Sequence, residues 1–289
     1  MRNGGQVRSG NCGGVDWQVG AGRRHQDETA VPVEKRPGGG DVAVDREGGQ
    51  ARSVASALLI SARDGNDCAK GNMAHDIIIG AWQYSNGQAH EGAVFVYHGG
   101  PTGPSLAPDW QYESNQADSW MGRSAQPAGD VNGDGFADVI VGNSLYDNSE
   151  TDEGRALVFH GSPTGLSTSP DWSAESNQAG AYFGRAVGSV GDINGDGYAD
   201  IIVGAYLFDN GQLDEGAAFI WYGSASGLGP NGTPANADWM AEGDQANAVF
   251  AARAQTAGDV NGDGFSDIII SARNYSDPEA QEGAAFVWY

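Results

Sequence analysis

The residues best placed to do chemistry are aspartates and asparagines in a nine-residue pattern that occurs three times. The first copy holds Asp130, Asn132, Asp134 and Asp138 at positions 1, 3, 5 and 9, with Gly133 and Gly135 at positions 4 and 6. The second holds Asp192, Asn194, Asp196 and Asp200, the third Asp259, Asn261, Asp263 and Asp267. Oxygen side chains at this spacing are what a hard cation needs from one short loop, since calcium takes roughly six to eight oxygens. Glycine permits the backbone angles that curling around the ion requires. A metal-free Asp/Asn/Gly turn would use the same residues. Three carboxylates in nine residues repel one another, however, by about 1 kcal/mol per pair at 4 Å even in bulk water. Three copies in register favour calcium, with three sites.

The elements that hold these loops are strands. An EF-hand needs a glutamate at position 12 and flanking helices. Position 12 here is Val141, Val203 or Ile270, inside β-branched runs that disfavour a helix. Asp76, Asp138, Asp200 and Asp267 each precede such a run, at intervals of 62, 62 and 67 residues. Glu91, Glu153, Glu215 and Glu282 repeat at the same intervals, as do Trp110, Trp172 and Trp239 at the last two. The five extra residues of the long interval fall in the GPNGTPANA stretch and read as a loop insertion. In the middle unit the runs Gly184–Val190, Asp200–Tyr206, Ala217–Tyr222 and a segment around Trp239 alternate with turn residues. That makes about four strands per unit, with nothing long and periodic enough for a helix. Consecutive four-stranded units at even spacing predict an all-β protein, a β-propeller of antiparallel blades.

Composition divides the chain. Residues 1–75 hold ten Lys/Arg against nine Asp/Glu, whereas residues 76–289 hold five against 29, a net of −24. The whole chain carries −23, which argues against nucleic acid or an anionic membrane surface as partner. No segment approaches the length of a transmembrane helix, so no direct membrane insertion is expected. The first residues lack the apolar core of a secretory signal, and Val54–Ile60 lies too deep in the chain to serve as one. Cys12 and Cys68 are the only cysteines; they either pair or remain free thiols, and neither lies in a zinc spacing.

The repeats resemble the FG-GAP repeats of integrin α-subunit propellers and of bacterial surface proteins. Phe183-Gly184 before the loop and Gly204-Ala205 after it carry the name, with looser copies at Met121-Gly122 with Gly142-Asn143 and at Phe250-Ala251 with Ser271-Ala272. The resemblance covers residues 76–289 and implies a seven-bladed propeller with calcium in the first hairpin loop of several blades. The expected ligand sets add the carbonyls of Phe136, Tyr198 and Phe265 to the side chains named above, and the ion's role would be structural. Two departures stand out. The first unit reads Cys68-Ala-Lys-Gly-Asn-Met where the cation loop belongs, and the last stops at Tyr289. Residues 75–289 thus divide into units of about 75–121, 122–183, 184–250 and 251–289, two complete blades flanked by two partial ones. Either the chain is a fragment of a larger propeller, with residues 1–74 unrelated, poorly ordered or artefactual, or residues 50–70 supply strands that close a four-bladed ring.

No catalytic constellation emerges. His98 and His160 occupy a repeat position that holds Tyr222 in the third copy, which speaks against catalysis or metal ligation there. The serines of GSPTG (161–165) and GSASG (223–227) do not make a nucleophile elbow and repeat as turn formers. The tryptophans serve as blade anchors rather than sugar platforms, because each unit needs the same apolar side chain. The acidic turns at 147–154 and 209–216 are expected to be solvated. Asn231-Gly-Thr233 and Asn274-Tyr-Ser276 match glycosylation acceptors in a eukaryotic host. The leading expectation is a non-catalytic, calcium-binding module for adhesion or ligand binding, extracellular or on the cell surface, whose partner is an unidentified protein or glycan. The alternative is an accessory propeller of a secreted, phospholipase-like hydrolase; a purely structural spacer is a third.

Overall fold

The apolar runs that follow the first two Asp-rich loops are strands buried on both faces, which is why they read as continuously apolar rather than alternating, while the third, Asp267–Ala272, has one face only half-buried. The computed structural model describes residues 76–100 and 102–289; the segment 1–74 and its two cysteines lie outside the described residues. The described chain contains fourteen strands, a single short 3-10 turn at Pro234–Asn236 and no α-helix. None of its helices is long and apolar enough to cross a membrane.

The strands form four antiparallel sheets in chain order. The first contains β1 (Ile77–Ala81), β2 (Ala93–Tyr97) and β3 (Trp110–Glu113). The second contains β4 (Ser124–Gly129), β5 (Asp138–Asn143), β6 (Arg155–Phe159) and β7 (Trp172–Glu175). The third contains β8 (Phe183–Gly191), β9 (Asp200–Ala205), β10 (Ala217–Trp221) and β11 (Trp239–Glu242). The fourth contains β12 (Phe250–Gly258), β13 (Asp267–Ala272) and β14 (Ala284–Trp288). Each sheet is a meander of neighbours, the predicted four-stranded unit complete in the second and third sheets and three-stranded in the outer two. This is the β-propeller blade architecture expected from the spacing.

Packing between blades follows the two-residue period of a strand. Ile201 and Val203 of β9 join Ile140, Val158 and Trp172 of the second blade in one apolar cluster, while Ile202 joins Ile268 and Ile270 of the fourth in another. A third cluster joins Ile78, Val94 and Val96 to Val139, Val141 and Leu157. Each core thus lies between two blades, not within one, and no blade can bury its faces alone. The predicted anchors take part: Trp110 and Trp172 are buried, and their indole N–H groups donate to Ser167 O (2.8 Å) and Pro230 O (3.0 Å) in the following blade. Pro230 belongs to the inserted GPNGTPANA stretch, so the insertion supplies part of the joint. Trp239 packs edge-on against Trp288 of the next blade, with centroids 5.5 Å apart.

Candidate metal centre

Each Asp-rich loop links the first two strands of a blade: 130–137 joins β4 to β5, and its counterparts join β8 to β9 and β12 to β13. The first aspartate organises the loop. In the second blade, Asp130 Oδ1 accepts the amides of Gly133 (2.7 Å) and Asp134 (3.1 Å), and its Oδ2 accepts that of Gly135 (2.9 Å). Asp134 Oδ1 accepts the amide of Phe136 (2.9 Å), and Asn132 Oδ1 accepts that of Asp134 (3.0 Å). Asp192 and Asp259 repeat the pattern within about a tenth of an ångström, as equal sequences in equal surroundings should.

The ninth residue does something different. Asp138 is fully buried; its Oδ2 accepts the amide of Val131 (2.8 Å) and its Oδ1 that of Gly161 (2.8 Å) in the turn after β6. Asp200 binds the amides of Ile193 and Gly223 in the same way, both at 2.9 Å. Asp76, whose unit lacks a cation loop, keeps the second contact through Gly99 N at 2.8 Å. In the second and third blades the ninth aspartate therefore staples the loop to a second turn, whereas Asp267 in the fourth accepts only the amide of Val260, at 2.7 Å. Its charge is strained. Burial, reinforced by the neighbouring Asp196 and Asp192, lifts Asp200 from the usual carboxylate range to about 6. Burial and the nearby Asp134 push Asp138 upward as well.

The donor set fits calcium. The ligand atoms predicted from the sequence are all oxygens, gathered in one loop, and the buried ninth carboxylate lies in a negative field that a cation would offset. Asp130, Asn132, Asp134, the Phe136 carbonyl and Asp138 would hold the ion in the second blade, with the equivalent residues in the third and fourth. When bound, the ion supplies the positive charge that these loops lack. A pH test follows for chelator-treated protein. A carboxyl whose folded pKa is raised binds its proton more tightly folded than unfolded, so stability falls as pH rises from the usual carboxylate range through about 6. The urea midpoint is expected to be higher at pH 5 than at pH 7; a midpoint that rises with pH would contradict the buried-carboxylate account.

Three features escaped the sequence reading. First, the loops pack on one another. A side chain at Gly133 would meet the ring of Tyr198 at 2.5 Å, and one at Gly195 would meet Phe265 at 2.5 Å. The aromatic at position 7 of one loop thus lies over the position-4 glycine of the loop before it. Second, the acidic turns are not wholly solvated: Glu91, Glu153 and Glu215 are fully buried. Glu153 Oε1 accepts the amides of Asn148 (2.8 Å) and Ser149 (3.0 Å), and Glu215 Oε1 those of Asn210 (2.7 Å) and Gln212 (3.1 Å). Among the described residues, the three acidic side chains whose oxygens all come within 4.8 Å are Glu215, Glu242 and Asp244, outside the predicted loops. The period of the glutamates was visible, but a glutamate in a polar turn gives no local sign that it points inward. Third, arginines gather on or beside the first strands of the blades, at Arg123, Arg185 and Arg253.

The histidines serve structure. His98 Nδ1 lies 3.2 Å from Asp76 Oδ2, and the backbone amides of His98, His160 and Tyr222 all bind the aspartate of the Asp-Trp pair. That shared backbone role explains why the position accepts either side chain.

Comparison with known proteins agrees with the architecture. The FG-GAP repeat family model matches residues 121–159, 183–221 and 252–288. The chain is 33% identical to integrin alpha-IIb of Mus musculus over 164 residues, which is 54% of this chain and 15% of that protein. It is 34% identical to integrin alpha-PS5 of Drosophila melanogaster over 171 residues, 56% of this chain and 16% of the relative. Integrin alpha-5 of Xenopus laevis is 28% identical over 165 residues, 54% of this chain and 15% of that one. The chain therefore aligns with about a sixth of the length of these relatives. The matched repeats each run from the first strand of a blade to its third and contain one Asp-rich loop; the chain carries three FG-GAP repeats, in blades similar to those of integrin α-subunits.

Proposed function

We propose that residues 75–289 are a non-catalytic, calcium-stabilised propeller that acts outside the cell or on its surface as an adhesion or ligand-binding module, with a protein or glycan as ligand. One observation carries this reading. The same oxygen-rich loop recurs in three consecutive blades with the same hydrogen bonds, each ending on a buried carboxylate. Relatives among the integrin α-subunits support the adhesion part. Three calcium ions are assigned, one per loop. Sites of this exposed kind suit surroundings rich in free calcium, with affinities on the order of 10⁻⁴–10⁻³ M.

Calorimetry with calcium and with a chelator tests the proposal. At ten times the dissociation constant, each occupied site adds about 1.4 kcal/mol. The melting temperature is expected to rise by several degrees with calcium, and not with magnesium at the same concentration. A melting temperature indifferent to the chelator at neutral pH would defeat the calcium assignment.

A further inference from the structure

Positive charge is scarce in the blades: residues 76–289 contain no lysine and only Arg123, Arg155, Arg185, Arg253 and Arg273. Four of these five gather in one place. Arg123 immediately precedes β4, and Arg185 lies two residues into β8 at the equivalent repeat position. Arg253, one register position further along β12, pairs with Ser271, and Arg273 follows the end of β13. Burial lowers the pKa of Arg185 to about 10, and the charges of Arg123, Arg253 and Arg273, which all act on it, add to the shift. The fifth, Arg155, sits elsewhere, with its guanidinium 3.5 Å from the centre of the Tyr146 ring and Glu175 opposite it in β7.

With 29 acidic residues available, random placement would give these arginines acidic partners. Among the described residues none of the four forms an ion pair; the charged pairs that do form are all His–Asp. Arg123 instead lies over the rings of Trp82 (5.6 Å) and Trp120 (5.4 Å), which hold its guanidinium in place without neutralising it. Beside the cluster runs a cavity of about 730 Å³, lined by Arg123, Ser124, Gln126, Arg253, Gln255 and Thr256 among others. That volume is in the range of small-ligand sites, and the lining offers hydroxyl and amide groups beside the guanidiniums.

We infer that this cavity between β4, β8 and β12 binds a compact ligand bearing clustered carboxylates. Guanidinium forks match carboxylates through paired hydrogen bonds. Gathering like charges without a counter-ion is unfavourable, so an arriving anion is favoured by each of them. The ligand must be compact. Beyond roughly 10 Å the patch is screened, and the remaining surface carries the excess negative charge that would repel a long polyanion. The carboxylates can come from an acidic segment of a partner protein or from a free small polyacid. The inference rests on the reading of the blades as a ligand-binding module and not on the calcium sites.

The test is calorimetric titration of the full chain, with calcium present and at low salt, using two probes: tricarballylate and a tetra-aspartate peptide. At least one is expected to bind, more weakly as salt rises. The double substitution Arg123→Ala/Arg253→Ala is expected to cost at least tenfold in affinity, about 1.4 kcal/mol. Arg123→Lys/Arg253→Lys, which keeps the charge but removes the fork, should fall between. Both positions are exposed, and a preserved calcium-dependent melting shift in the variants separates loss of this site from loss of the metal loops or of the fold. Preference for the peptide would identify a protein segment as the source, and preference for tricarballylate a small polyacid. Absence of binding by either probe, equal affinity in the alanine variant, or tighter binding of a long sulfated polysaccharide would each overturn the inference.

Discussion

Asp200→Ala is expected to destabilise the protein by about 4 kcal/mol even after calcium has been removed. The side chain is fully buried and accepts two backbone amides, Ile193 N in the loop and Gly223 N in the turn after β10. Truncation leaves both donors without a partner, at about 1–3 kcal/mol each. Asp200→Asn keeps one acceptor oxygen and should cost roughly half as much. The informative comparison is Asp196→Ala, four positions earlier in the same loop. Asp196 is exposed and serves only the loop itself, accepting the amide of Tyr198 at 3.0 Å. Its loss should matter in calcium and change little in chelator. Urea unfolding of both variants in both conditions separates the staple from the ligand. Equal stability losses for the two variants in chelator would show that the ninth aspartate has no role of its own.

Gly142→Ala is expected to cost more than about 4 kcal/mol, enough to abolish the cooperative fold. Gly142 lies in β5, and a methyl group there would come within 1.9 Å of the carbonyl oxygen of Gly184 in the next blade. Gly80 meets Gly122 O at the same distance, and Gly204 meets Ala251 O at 2.3 Å. The glycine of the VIVG-type run is therefore the point where two backbones touch, and backbone cannot yield as a flexible side chain can. Gly188→Ala is the control: that glycine is buried in β8, yet a methyl there would have nothing within 4 Å. Near-UV circular dichroism and urea titration should find the Gly142 variant unfolded and the Gly188 variant close to the parent. A Gly142 variant within 1 kcal/mol of the parent would refute the close approach.

Much of this was legible in the sequence because repetition turns weak local signals into strong ones. One VIVG could be a buried helix segment, but four equivalents at fixed intervals, each beside glycine-rich turns, could only be strands. The loop ligands were legible for the same reason. What stayed hidden depends on direction rather than residue type. Glu153 and Glu150 are equally polar on paper; only the fold turns Glu153 inward onto the amides of its own turn. Arg123, Arg185 and Arg253 are far apart in the chain and not quite in register, so their convergence required the blades to be placed side by side. The second duty of Gly133 and Gly195, making room for the next loop's aromatic ring, lies on a neighbouring unit that no local pattern contains.

The tryptophan joints have a consequence for how such a chain can grow. Trp110 reaches forward to Ser167 and Trp172 forward to Pro230, so the second unit carries both a plug for its successor and a socket for its predecessor. A tandem copy of one unit, cut at any point of the interval, would arrive with both halves of a joint and could be spliced into the row without redesigning its neighbours. The socket itself tolerates rebuilding, since the Pro230 carbonyl comes from the stretch that holds the five-residue insertion and still meets the indole at 3.0 Å. Lengthening by duplication and local variation of turns are thus compatible in one architecture, because the coupling is made by a backbone oxygen that any inserted residue can provide.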